Sequence, residues 1–243
     1  MAGKKKATTS ASQAIAEAAS KALDQTAALG SFLHKILGPG FEQLGLAFAD
    51  WATVFRQSNA LRLADKLKAI HSRRRLEGKT APIPPRLAIP MLQQATLEDD
   101  ETLQDMWAAL IANATDPRQQ VSARRVFVDL LSGMEPADAK ALVAIHADEV
   151  ANPARHPRKV NDDAPLEPAE HSNKRNVDWL AQTLGLTTNE TAFSADNLGR
   201  LGLIEDIIPE GSDGSAIGVP VTHSEAHIGV TFMGRELLAA CQT

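Results

Sequence analysis

Tyrosine is missing from this sequence, cysteine occurs once, and aromatic residues make up only 4% of its 243 positions. The single thiol, Cys241, forms no internal disulfide, which excludes the disulfide-stapled secreted scaffolds and fits a reducing compartment. Alanine and leucine dominate instead. Side chains not branched at Cβ lose little rotamer freedom in a helix, so the expected fold class is mainly α. No run of 18 apolar residues occurs, and the most hydrophobic region, 27–55, is interrupted by His34, Lys35, Glu42 and Asp50. That pattern argues against a spanning helix and leaves room for a helix lying on a membrane surface. The lysine-rich opening MAGKKKATTSASQ lacks the apolar stretch of a secretory signal, so the expected location is the cytoplasm, at most peripheral to the inner membrane. Also missing are a phosphate-loop lysine motif, an HExxH pair, a GxSxG elbow and a dinucleotide glycine triplet. No nucleophile, base, metal or cofactor is nominated, and a non-enzyme is expected.

What is present is 44% apolar residues, enough for a sizeable core, and a net charge of −5 that is unevenly spread. Residues 1–29 read as disordered or weakly helical. From Phe41 the apolar positions Phe41, Leu44, Phe48, Trp51 and Phe55 step by three and four, and the stripe continues through Leu63, Leu67 and Ile70, which predicts a long helix over about 41–75. Its end is basic. Between residues 56 and 79 there are eight cations against two carboxylates, a net of +6. Arg62, Lys66, Arg73, Arg74 and Arg75 are therefore candidates for contact with phosphate, anionic lipid or nucleic acid. A solvated face whose cations suit the helix C-terminal dipole explains the same pattern. Phe41, Phe48, Trp51 and Phe55 form either a partner or membrane face or an ordinary helix-packing seam.

The span 82–146 carries the clearest helix signals. The IPP turn closes the preceding helix, and Pro90-Met91-Leu92 reads as a helical turn. Thr96 followed by Asp99, Asp100 and Glu101 marks a capped helix start. Leu103, Met106, Trp107, Leu110 and Ile111 give that helix a wide inward face, ending near Asn113 before Asp116-Pro117. Residues 121–131 predict a further helix with Val126, Phe127, Leu130 and Leu131 inward and Arg124 and Arg125 outward, closed by Gly133. Pro136 opens another, with Leu142, Val143 and His146 at inward spacing. Together these elements predict a helical bundle over 30–150, followed by a proline-rich charged linker at 151–175.

From residue 176 the expected order is helix, helix from Thr188-Asn189-Glu190, strand at LIEDIIP, turn, a second strand within 217–230, and a closing helix at MGRELLAAC. This order resembles a winged helix over 176–243. The module holds Arg200 and Arg235 against nine carboxylates, a net of −7 that would repel phosphates, so nucleic acid is an improbable partner there. His223, Glu225 and His227 alternate as metal ligands on a strand would, but the spacing is common and other His and Cys residues lie far off.

Several stretches resemble the Abi-alpha (abortive infection alpha) family of bacteria: PIPPR at 82–86, DDETLQDMWAALIANATDP at 99–117, FVDLLSGMEPADAKAL at 127–142, the LGPGFEQLG approach at 37–45, and NLGRLGLI with VTFMGRELLAAC near the end. These are packing and capping signatures, with no catalytic residues to carry over. The resemblance implies a phage-defence protein that works through protein or membrane-surface contacts, as a homo-oligomer or with another protein. A winged-helix transcriptional regulator and a membrane-surface protein using helix 41–75 are the alternatives.

Overall fold

The computed structural model describes Ser31 and residues 54–76, 78–118, 124–152, 175–207 and 227–242. Residues 1–29, expected to be disordered or weakly helical, the LGPGFEQLG segment, nearly all of the linker, the turn between the two expected strands, and His223 and Glu225 lie outside the described residues. Within them the fold is mainly helical with one small sheet, as composition predicts. In chain order the elements are α1 (Val54–Arg73), α2 (Pro85–Ala95), α3 (Glu101–Thr115), α4 (Arg125–Ser132), α5 (Pro136–Ala151), α6 (Val177–Leu184), α7 (Thr188–Arg200), β1 (Ile204–Ile207), β2 (His227–Val230) and α8 (Phe232–Ala240).

Two compact units divide these elements, and the division runs through α3. The first contains the described residues up to Asp99 together with 107–118. Here α1 packs against α2. The α1 seam buries Leu63, Leu67 and Ile70, as its spacing predicts. Pro85 occupies the first turn of α2, where its missing N–H costs nothing. Pro90-Met91-Leu92 is helical as expected and lies inside α2, whose Ala88, Met91, Leu92 and Ala95 make one buried stripe. Trp107, Ala108, Leu110, Ile111 and Ala112 are all buried, so α3 is covered on every side in this stretch.

The second unit holds Asp100–Met106 and the described residues from Arg124 onward. Asp100, not Thr96, caps α3: its Oδ1 accepts the N–H groups of Thr102 (2.9 Å) and Leu103 (3.1 Å). The Thr96 hydroxyl donates backward to the Leu92 carbonyl at 2.8 Å and finishes α2 instead. Phe127, Leu130 and Leu131 are buried on α4 as expected, and Gly133 closes it. Val126 and Val143 are exposed, contrary to expectation, because each helix turns a stripe too narrow to include them.

Helix α5 packs against α6, α7, β2 and α8. Asn176 caps α6, and Gly185, in the left-handed region at φ 67°, ends it. Thr187, one residue before the expected cap, forms a capping box with Glu190 to open α7. β1 and β2 are antiparallel, with Ile204 opposite Val230 and Ile207 opposite His227. Gly234 lets α8 approach the end of β1 closely: a Cβ there would meet the Leu203 carbonyl and lie 2.6 Å from Val230 Cγ1.

Candidate functional site

The end of α1 is built by a reversal of the chain. Leu76 N–H reaches back to the His71 carbonyl at 2.9 Å, a closure that places Arg75 in the left-handed region at φ 56°. Glycine usually fills such a position, since a side chain there costs about 1 kcal/mol. Below the turn is a buried polar knot. His71 Nε2 lies 2.9 Å from Thr115 Oγ1, and the Thr115 carbonyl accepts the Ala81 N–H at 2.9 Å.

The cations around this turn have different roles. Arg74 donates to Asn113 Oδ1 at 2.6 Å, and its partial burial pulls its pKa down against the opposing charge of Asp116. Arg62 donates to Asn59 Oδ1 and to the Asp99 carbonyl, both at 3.2 Å. Lys66 is half-buried, while Arg73 and Arg75 are exposed. Arg118, which the reading of the sequence did not single out, joins them. It grips Asp116 from Nε at 3.0 Å and Nη2 at 3.1 Å, and donates to the Arg74 carbonyl at 3.1 Å. The bond from Arg118 holds the Asp116 carboxyl below the usual carboxylate range. The Asp-Pro-Arg order after a helix stop was the available signal for it. Phe41, Phe48 and Trp51 lie outside the described residues, and Phe55 lies on α1 with its side chain outside them.

A second polar cluster stands in the other unit. The Arg175 side chain is 0% exposed, with Nε 2.6 Å from Asp148 Oδ2 and Nη1 3.5 Å from Glu149 Oε1. Glu149 Oε1 also accepts the Val230 N–H at 2.7 Å, and its Oε2 lies 3.9 Å from Arg235 Nη1 and 4.0 Å from His146 Nδ1. His146 is thus half-buried beside a carboxylate. Arg235 donates to the Val230 carbonyl. This network ties α5 to β2 and to the chain just before α6. Asp148 and Glu149 lie just before the expected linker and Arg175 at its far end, a separation that sequence pattern does not join. His227 is buried. Burial pushes the Cys241 thiol far up, so it stays neutral.

Among the described residues no group of His, Cys, Asp or Glu has the arrangement of a metal site, and no helix is long and apolar enough to cross a membrane. The exposed surface of α7 carries Asn189, Glu190, Phe193, Asp196 and Arg200. Glu190 and Asp196 put two carboxylates on this surface, and Arg200 adds one cation.

Searches of curated proteins and of solved structures gave no match. The family model for abortive infection alpha matches residues 56–241, which include every described element from α2 to α8 and most of α1. The chain therefore belongs to the abortive infection alpha family.

Proposed function

We propose that this protein acts in defence against phage as a non-catalytic contact protein of the bacterial cytoplasm. The observation that carries the reading is the family match over 56–241. Three features support contact over catalysis. His71 and Thr115 bond each other beneath a turn, Asp116 is held by Arg118, and Asp138 Oδ2 accepts both the Glu135 N–H and the Asn197 amide. These polar groups are spent on the fold. The order of α6, α7, β1, β2 and α8 supports a winged-helix-like module, and its carboxylates favour a protein partner over a nucleic acid. Plaque counts on cells carrying and lacking the gene are the test: the gene lowers plating of at least one phage. Unchanged plating across a diverse panel overturns the reading.

A membrane-surface reading draws support from Arg73 and Arg75, exposed beside Arg118 at the end of α1. It predicts co-sedimentation with vesicles of anionic lipid at low salt, lost in an Arg73→Glu/Arg75→Glu variant. Protein left in the supernatant under those conditions counts against it.

A further inference from the structure

The outer face of α7 runs along Asn189, Phe193, Asp196 and Arg200, with Glu190 beside it. Phe193 stands in the middle and is 78% exposed, more than any other large apolar residue described. The core of this unit is made on the opposite side of the helix, by Thr191, Ser194, Ala195 and Leu198. Phe193 therefore adds nothing to that core and leaves a ring in water. Carboxylates lie one turn to each side of it: Glu190 three residues before and Asp196 three after. Glu190 also accepts the Thr187 N–H and hydroxyl, which fixes its carboxylate on this face. An aromatic face between two anions suits a guanidinium, which stacks on the ring while its N–H fork reaches carboxylate oxygen.

The chain supplies exposed guanidinium groups at the end of α1. Arg73 and Arg75 are exposed, and no ion pair among the described residues engages either. Arg75 occupies a left-handed position that glycine would hold without strain, and its guanidinium is presented at the exposed turn.

We infer that the α7 face centred on Phe193 docks the Arg73–Arg75 turn of a second copy of this chain. Charge complementarity selects this occupant, because the +6 segment at 56–79 and the −7 segment at 176–243 belong to the same sequence. The inference rests on the contact-protein reading and names its partner. The two patches are different, so the contact is heterologous. Each added copy leaves one patch of each kind open, and association proceeds to chains or closed rings. One helix face and one turn cover less than the roughly 800 Å² per partner of a standard interface, so association is weak and salt-sensitive.

Sedimentation velocity on the full chain tests this, at about 0.05 M and about 0.5 M salt, where screening differs strongly. The expected result is a sedimentation coefficient that rises with protein concentration at low salt and returns to the monomer value at high salt. Phe193→Ser and Arg75→Gly each weaken association several-fold. Arg75→Gly leaves the melting temperature unchanged or raised, whereas a purely structural arginine would lower it on removal. Mixing supplies the decisive arm. A Phe193→Ser chain keeps its arginine turn and an Arg73→Glu/Arg75→Glu chain keeps its α7 face, so together they form a one-to-one complex that neither forms alone. A monomer at every concentration in low salt overturns the inference, as does association indifferent to these variants or a mixture that forms no complex. Phage plating is not read here, so failure of self-association and failure of the defence reading are seen separately.

Discussion

Asp100 performs two tasks with one carboxylate. Oδ1 caps α3 through Thr102 and Leu103, and Oδ2 receives Lys140 Nζ at 3.1 Å. Burial pushes its pKa up, but the Leu103 N–H, Lys140 and the Thr102 N–H together outweigh burial and leave it below the usual carboxylate value. With the folded pKa below the unfolded one, the unfolded chain takes up the proton first in acid. The stabilisation is complete above about pH 4 and is lost as pH falls through the folded pKa. Asp100→Ala should lower stability by about 1 kcal/mol at neutral pH through loss of the cap. Asp100→Asn keeps a capping oxygen but no charge, so its stability should fall less steeply than that of the parent between about pH 5 and pH 3. Urea melts at several pH values check both, and equal slopes would mean the carboxylate gains nothing from its charge. The acids at this helix start were legible in the sequence. Thr96 was indistinguishable from a cap by residue type, and only the chain path shows its hydroxyl turned back to Leu92.

Most elements announce themselves through local chemistry that needs no long-range knowledge. Gly133 and Gly185 stop helices, Pro136 starts one, and the Trp107 helix is recovered to within two residues of its end. Local spacing fails where burial is decided by a distant neighbour, as at Val126 and Val143. It fails more completely at Arg175, which looks like the last charge of a linker and is in fact fully buried against α5. Breaking a buried ion pair leaves an uncompensated charge, so Arg175→Met should cost about 3–5 kcal/mol. Glu149→Gln retains an acceptor for the Val230 N–H while removing one of the two charges facing Arg175. In that background Arg175→Met should cost less, because less unpaired charge remains. Urea unfolding of the four-member cycle measures this. A cost independent of the residue at 149 would show that Arg175 acts on Glu149 through neither charge nor hydrogen bonding.

At the scale of the whole chain, charge asymmetry was visible in the sequence and the grouping of helices was not. The prolines at 153, 157, 165 and 168 make 151–175 look like a boundary. Helical periodicity shows that α5 has a buried face but carries no label for what buries it. In the structure those partners come after the prolines: α6, α7, β2 and α8 pack on α5, and Glu149 holds the Val230 N–H. A fragment of residues 176–243 would therefore leave the α5-facing sides of four elements in water and lose Arg175 with its network. Exposed apolar surface costs about 25 cal/mol per Å², and a segment of this length has little stability in reserve. The 176–243 fragment should melt without a cooperative transition by circular dichroism. A fragment of residues 124–243 restores α4, α5 and the linker and should melt cooperatively, though at a lower temperature than the full chain because Asp100 no longer meets Lys140. If the shorter fragment melts as sharply as the longer one, α5 is dispensable to the C-terminal elements, and the ion network at Arg175 is not what secures them.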